Sequence, residues 1–341
     1  MQLDLPLIWA GLIAGAVLLY VLLDGFDLGI GMLFPFARSP EDRSLMMDAI
    51  APVWDGNETW LVLGGGGLMA AFPAAYAVLM PALYLPIYLM LIALVLRGVA
   101  FEFRLRGRRR GTAFWTFAFT AGSTAATFAQ GLVLGGFIQG VTVKDGAFAG
   151  GPFDWLTPYT LLVAVGLLAG YALLGAAWLV LKTEQRLFDD ARRWARLAAM
   201  AVAAMLAIVS LATLWLHPQI AERWGMFAGK LDLPTLARRA PIPLLGLLGL
   251  AIVLIGVQRR SHLWPYLGAA MVFLSGYFGL ATGFFPYVAP YALTFREAAS
   301  APNALALLLT GAAIMLPLIL GYTVWVYWLF RGKVSADAGY H

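Results

Sequence analysis

Carboxylates inside apolar stretches are the residues of this sequence that could do chemistry. Asp24 and Asp27 lie three residues apart late in the first apolar stretch, and Asp55 and Glu58 repeat that spacing at the start of the second. Residues three apart lie on nearly the same face of a helix. An ionised aspartate at the centre of a membrane helix costs about 2.5–3.5 kcal/mol, so such groups should face protein or water, be paired, or be protonated. Proton transfer is therefore the chemistry that these residues could support.

The same carboxylates also have a structural interpretation, as interfacial acids that cap helices or pair with arginines in loops. Asp55 could cap the N-terminus of the second helix. We favour a functional role for Asp27 and Asp55, whereas for Asp24 and Glu58 both interpretations stay open.

A second set of residues could position these acids. Arg97 and Glu102 lie near the end of the third apolar stretch, and Arg97 is expected to pair with a carboxylate rather than to bind a substrate. Trp54 and Asn57 lie among the acids of the second stretch. That stretch also contains four consecutive glycines, Gly64, Gly65, Gly66 and Gly67. They predict either very tight helix packing or a local unwinding whose free carbonyls need a partner.

The elements that must hold these residues are predicted to be membrane helices. Of the 341 residues, 62% are hydrophobic and 12% are charged, against about 25% charged in soluble domains. Stretches long enough to cross a bilayer run from 7–34, 52–72, 79–103, 114–140, 158–181, 195–216, 241–257, 263–288 and 304–330. We therefore expect an all-α polytopic membrane protein of about nine transmembrane helices, with 1–341 as a single transmembrane domain.

A weak internal repeat divides this domain into two four-helix units plus one helix. The segment YVLLDG at 20–25 aligns with YALLGA at 171–176. The predicted halves are 1–143 and 155–290, and the extra helix is 304–330. In this alignment the first half has Asp24 where the second half has Gly175.

The loop charges predict the orientation of the chain. Loops after the first, third, fifth and seventh stretches, together with the C-terminal tail, contain sixteen Lys and Arg residues, whereas the opposite loops contain six. The positive-inside rule then places the N-terminus outside and the C-terminus in the cytoplasm. The net charge of +5 thus reflects topology, and no nucleic-acid partner is expected. The first helix is expected to be retained, because no positively charged region precedes it.

The histidines and cysteines argue against a redox centre in this chain. There is no cysteine, and the three histidines are His217, His262 and His341. They lie at predicted helix ends or in the tail, where none could be a mid-membrane haem ligand. We expect no cofactor and no metal in this chain alone.

Three motifs together resemble a known family. They read DGFDLGIG at 24–31, IAPVWDGNETWLV at 50–62 with AAFP at 70–73, and RGVAFEFR at 97–104. These stretches resemble subunit II of the bacterial cytochrome bd-type quinol oxidases, a family that includes the cyanide-insensitive oxidases.

This resemblance implies a heterodimer in the bacterial cytoplasmic (inner) membrane. The partner, subunit I, would bind two b haems and one d haem, oxidise quinol and reduce O₂ to water, and a small single-helix subunit could join the complex. Subunit II would share the fold of subunit I without its haems. The resemblance places Asp55 on a proton route at the subunit interface and Glu102 at the cytoplasmic entry of that route. It leaves the role of Asp24 and Asp27, protonic or structural, open.

The alternative function is that of a proton-coupled secondary transporter. Such proteins also use intramembrane acids, glycine-broken helices and internal repeats. A transporter would be active by itself, whereas an oxidase subunit would co-purify with a haem-bearing chain.

Overall fold

The chain folds as a bundle of long helices. A computed structural model describes residues 3–106, 112–227 and 230–334. The helices in these ranges are α1 (Leu5–Leu33), α2 (Pro40–Asp48), α3 (Trp54–Ala71), α4 (Pro73–Ala82), α5 (Tyr84–Arg106), α6 (Thr112–Gln139), α7 (Pro158–Lys182), α8 (Gln185–Leu216), α9 (Pro218–Arg223), α10 (Leu233–Arg239), α11 (Pro241–Gln258), α12 (Trp264–Phe284) and α13 (Pro302–Leu329). A 3₁₀ turn at Phe34–Phe36 follows α1. The prediction of an all-α membrane protein is confirmed.

Three short antiparallel hairpins lie in the loops between helices. They pair β1 (Val143–Lys144) with β2 (Ala147–Phe148), β3 (Met226–Phe227) with β4 (Lys230–Leu231), and β5 (Tyr287–Ala289) with β6 (Leu293–Thr294). Each strand has two or three residues, so the hairpins fold back connections without forming a sheet layer.

Eight helices among the described residues are long and apolar enough to cross a membrane. They are α1 with its 3₁₀ turn, α5, α6, α7, α8, α11, α12 and α13. The second predicted stretch, 52–72, forms helix α3, which has 18 residues but is not apolar enough to be counted with these eight. Its polar first turns, which include Asp55, Asn57 and Glu58, lower its mean hydropathy.

Helix α3 nevertheless runs from one end of the bundle to the other. Its first residues follow α2, which comes directly after the C-terminal end of α1. At its other end the carbonyls of Ala70 and Ala71 accept hydrogen bonds from Ser300, which lies just before α13. A helix with carboxylates at its start thus crosses the bundle beside α1.

The loops gather at the two ends of the bundle as the charge pattern predicts. At one end Arg38 binds Asp190 at 2.6 Å, and Lys333 binds Glu184 at 3.1 Å. These contacts bring the loop after α1 and the C-terminal tail to the start of α8. At the other end Arg296, in the loop before α13, binds Asp4 at 2.5 Å.

Helix α8 begins about ten residues earlier than the apolar pattern predicts, at Gln185 rather than 195. Its first turns are amphipathic: Ala191 and Ala195 are buried, whereas Asp189 forms ion pairs with Arg192 and Arg260. Hydropathy averaging does not detect a helix whose polar face is satisfied by ion pairs.

The centre of the bundle is the contact between α1 and α7. A Cβ atom added at Gly29 would lie 1.9 Å from the carbonyl oxygen of Tyr171, and one at Gly175 would lie 2.5 Å from the carbonyl carbon of Gly29. The two backbones touch, as small residues allow in membrane helix packing. Around this contact Phe26 stacks on Trp178 with ring centroids 4.1 Å apart.

We expect Gly29→Ala to destabilise the protein, because the added methyl group must push α1 away from α7. Overpacking of this kind costs about 1–3 kcal/mol or more. Thermal unfolding of the purified protein measures the loss. Gly15→Ala in the same helix is the matched control, since nothing lies within 4 Å of a Cβ at that position. Equal melting temperatures for the two variants would contradict the close packing described for α1 and α7.

Candidate functional site

A buried ion cluster joins α1 to α5. Asp24 and Asp27 are both 0% exposed, and Arg97 is 1% exposed. The Nη1 group of Arg97 donates to Oδ1 of Asp24 at 2.7 Å, and its Nη2 group lies 3.9 Å from Oδ2 of Asp27. Arg97 therefore pairs with two carboxylates, which the spacing of three residues places on nearly the same face of α1.

Helices α3 and α13 complete the surroundings of Asp27. Asn57 donates from Nδ2 to Oδ2 of Asp27 at 2.8 Å and, at 3.3 Å, to the carbonyl oxygen of Leu23. Its own Oδ1 accepts a hydrogen bond from the Tyr327 hydroxyl at 2.7 Å. Asn57 is thus a bridge between the last helix and the ion cluster.

The charges in the cluster do not balance. Two carboxylates face one guanidinium, which leaves one negative charge too many if both acids are ionised. Oδ2 of Asp24 and Oδ1 of Asp27 are buried and have no hydrogen-bond partner within the described residues, and the same holds for Nε and Nη2 of Arg97. Unpaired buried charge is costly, so each charged group of the cluster depends on the others for its stabilisation.

A second polar network, which was not predicted from the sequence, lies one helical turn away along α1. Gln130 donates to the Tyr20 hydroxyl at 2.6 Å and accepts a hydrogen bond from the Tyr171 hydroxyl at 2.9 Å. All three side chains are buried. The sequence does contain a sign of this network, because a glutamine in the middle of an apolar helix is rare and usually has a polar partner.

Asp55 and Glu58 lie between the surface and the ion cluster. Asp55 is exposed in the first turn of α3, and Glu58 is half-buried one turn further along. Glu58 is close enough to Asp55 and to the buried Arg97 and Asp24 to interact with each electrostatically. The two acids therefore extend from the surface of the chain toward its buried charges.

Trp54 covers the same region from the start of α3. The guanidinium carbon of Arg97 lies 5.9 Å from the centroid of the Trp54 ring, and the ring lies 3.5 Å from a Cβ built on Gly98. The indole thus packs over α5 at the level of the ion cluster.

The glycine tetrad does not unwind. Helix α3 is continuous across it, so the prediction of tight packing is correct for part of it and that of a local unwinding is wrong. Gly64 and Gly67 pack against α1, with a built Cβ 3.3 Å from Val17 and 3.1 Å from Ile13, respectively. Gly65 and Gly66 are exposed, and nothing lies within 4 Å of a Cβ on either of them. Their side of α3 is a bare backbone surface.

Glu102 lies on α5, five residues beyond Arg97 toward the basic end of the bundle. It is half-buried. An α-helix rises 1.5 Å per residue, so Glu102 is about 7 Å along the axis from Arg97.

The two histidines within the described ranges lie at helix ends. His217 follows α8 and packs against Tyr159 with ring centroids 5.5 Å apart, and its burial lowers the pKa of its imidazole. His262 lies between α11 and α12, where Nδ1 is 2.9 Å from the carbonyl oxygen of Val180. His341 lies outside the described residues. No group of three or more His, Cys, Asp or Glu side chains that could hold a metal is found among those described.

Curated relatives match this chain over nearly its whole length. Cytochrome bd-I ubiquinol oxidase subunit 2 of Escherichia coli (strain K12) is 26% identical, with 98% of this chain and 96% of the relative covered. Cytochrome bd ubiquinol oxidase subunit 2 of Bacillus subtilis (strain 168) is 28% identical, with 96% of each covered.

The fold also matches a solved structure. A chain of the bd oxidase from Geobacillus thermodenitrificans superposes with a TM-score of 0.76 at 17% identity, covering 97% of this chain and 100% of the other. At this identity the likeness concerns the fold. The family described as cytochrome bd terminal oxidase subunit II matches residues 5–330. The match includes the eight candidate membrane helices described above and every residue of the ion cluster. The chain therefore belongs to the cytochrome bd terminal oxidase subunit II family.

Proposed function

We propose that this chain is the haem-free subunit II of a bd-type quinol:O₂ oxidoreductase, and that it contributes acids to a cytoplasmic proton route. Membership of the family and the names of the relatives support a role as a multi-pass subunit in the bacterial inner membrane. They do not favour the alternative, a proton-coupled transporter.

The proposed partner is a haem-bearing subunit I, with two b haems and one d haem, through which the complex would use quinol and O₂. A small single-helix subunit is a further partner proposed from the family resemblance alone. The exposed face of α3 is a suitable contact surface for subunit I. It combines Asp55 with the bare backbone of Gly65 and Gly66, where another helix could approach closely.

Neither histidine of the described residues is placed as an axial haem ligand within the bundle. An axial ligand must approach the iron from within the bundle. His217 and His262 lie at helix ends, and the buried polar position between α1 and α5 is filled by Arg97 with Asp24 and Asp27. We therefore assign the electron-transfer chemistry to the partner.

One observation carries the proton-route proposal: acidic side chains extend from the exposed Asp55 through the half-buried Glu58 to the buried charges at Arg97. Reduction of O₂ consumes protons, and a carboxylate that can be neutral or charged is a suitable relay. Asp55 would receive protons at the subunit interface, and Glu102 would serve the cytoplasmic entry. For Asp24 and Asp27 we propose a role in stabilising the buried charge of Arg97.

The orientation in the membrane is also a proposal. At one end of the bundle Arg38, Arg186 and Lys333, which belong to the more basic set of loops, form ion pairs with acids of neighbouring segments. The positive-inside rule would place this end in the cytoplasm and the N-terminus outside.

We expect the purified chain without its partner to show no Soret absorbance, whereas the gently solubilised complex shows haem spectra and a second subunit of similar size. Absorption spectroscopy and a denaturing gel of the two preparations provide the measurement. Stoichiometric haem on the isolated chain would overturn the haem-free assignment. Purification of the active protein as a single type of chain would instead support the transporter.

A further inference from the structure

Two arginines at the basic end of the bundle differ from their neighbours. Arg43 and Arg104 are half-buried. Other arginines that the structure describes at this end are exposed, such as Arg193, or form ion pairs, such as Arg186 with Asp42 at 2.7 Å. No carboxylate among the described residues forms an ion pair with Arg43 or Arg104. The two guanidinium groups are close enough to repel each other.

Arg104 is held in place without a counter-ion. Its Nε donates to Thr116 at 3.1 Å, and its Nη1 donates to the sulfur of Met47 at 2.9 Å, which is a weak acceptor. Its guanidinium carbon lies 4.7 Å from the centroid of the Phe34 ring. These contacts orient the group but neutralise none of its charge.

Both arginines line one cleft of about 510 Å³, together with Thr116, Thr120 and Phe117. Two polar atoms of its lining, Nε of Arg43 and Oγ1 of Thr120, are buried and have no hydrogen-bond partner within the described residues. Buried polar atoms nearly always have a partner, so unused donors beside unbalanced positive charge indicate an anion.

The position of the cleft selects the kind of anion. It lies where the candidate membrane spans Tyr84–Arg104 and Thr112–Gln139 meet and next to the end of Leu5–Phe36, at the depth where lipid headgroups are found. On α6, beside the cleft, Phe114 and Phe117 are 59% and 69% exposed. A charged cleft with an apolar flank matches a phosphate headgroup whose acyl chains lie along a helix.

We propose that Arg43 and Arg104 bind the phosphate of an anionic phospholipid between the α1–α2 connection and the α5–α6 pair. The threonine hydroxyls add hydrogen bonds, and Phe117 packs against the acyl chains. The headgroup supplies the negative charge that no carboxylate of the described residues provides to these two guanidinium groups. It thereby links three helix ends. This site is distinct from the acids at Asp55 and Asp24.

The test uses the complete oxidase complex after delipidation with detergent. Dioleoylphosphatidylglycerol in mixed micelles is expected to raise the melting temperature of the complex by about 3 °C, because a ligand that binds only the folded state stabilises that state. Dioleoylphosphatidylcholine or inorganic phosphate is expected to raise it by less than about 1 °C. The double variant Arg43→Gln/Arg104→Gln should show no rise in melting temperature with phosphatidylglycerol. In native mass spectrometry it should retain one anionic lipid fewer than the wild type. Arg193→Gln, an exposed arginine at the same end of the bundle, is the matched control and should match the wild type in both measurements.

Equal stabilisation of the wild type by phosphatidylcholine and phosphatidylglycerol would overturn the proposal, and this arm does not depend on how well the double variant folds. A full response to inorganic phosphate would show a free-anion site instead of a lipid site and would also overturn it. Arg43→Lys/Arg104→Lys keeps the charge and should retain part of the response.

Discussion

Arg97→Gln is expected to destabilise the complex by about 3–5 kcal/mol, because it leaves two buried carboxylates without their cation. Asp24 and Asp27 are 0% exposed, so water cannot replace the guanidinium. The measurements are the melting temperature of the purified complex and the amount of assembled, haem-loaded oxidase in membranes. We expect a strong loss in both.

Removing the charge of Asp24 together with that of Arg97 should restore much of the lost stability. In the double variant Arg97→Gln/Asp24→Asn only Asp27 remains ionisable, and Asn57 still donates to it at 2.8 Å. Asp24→Asn alone should be milder than Arg97→Gln, since Arg97 keeps Asp27 at 3.9 Å. A melting temperature of Arg97→Gln within about 1 °C of the wild type would show that the ion cluster does not hold α1 to α5.

Asp55→Asn is expected to lower quinol oxidase turnover at least tenfold while haem content stays near the wild-type level, because a positioned proton-transfer group contributes about 10²–10⁴-fold. The amide keeps the size and polarity of the side chain but cannot be ionised. Quinol-dependent O₂ consumption measures turnover, and the reduced absorption spectrum measures haem. Asp55→Glu, which keeps a carboxylate, should retain part of the activity.

The control for Asp55 is Asp145→Asn, an exposed acid in the hairpin at the opposite end of the bundle. Its φ of 50° is one that asparagine tolerates. This variant should turn over like the wild type. Wild-type turnover in Asp55→Asn would remove Asp55 from the proposed proton route, and loss of haem together with activity would indicate an assembly role.

Some boundaries and features were not predictable from the apolar pattern. The predicted third stretch begins at 79, but α4 and α5 divide this region at Leu83, so that α5 starts at Tyr84. Helix α8 extends back to Gln185 because ion pairs satisfy its polar face. The division into halves 1–143 and 155–290 remains a prediction. Tyr20 and Tyr171, which that repeat places at equivalent positions, both bind Gln130.

What the sequence by itself determined is the long apolar helices, the charges of the loops between them and the residue types that cannot lie in lipid. Hydrophobic length and the cost of burying charge are local properties, so they are readable without a structure. Only the tertiary structure decided which partners satisfy those residues. Arg97 binds Asp24, which is 73 positions away, and Tyr327 binds Asn57 across 270 positions. Such pairings depend on how helices pack side by side, and the close α1–α7 contact at Gly29 is a property of two backbones together.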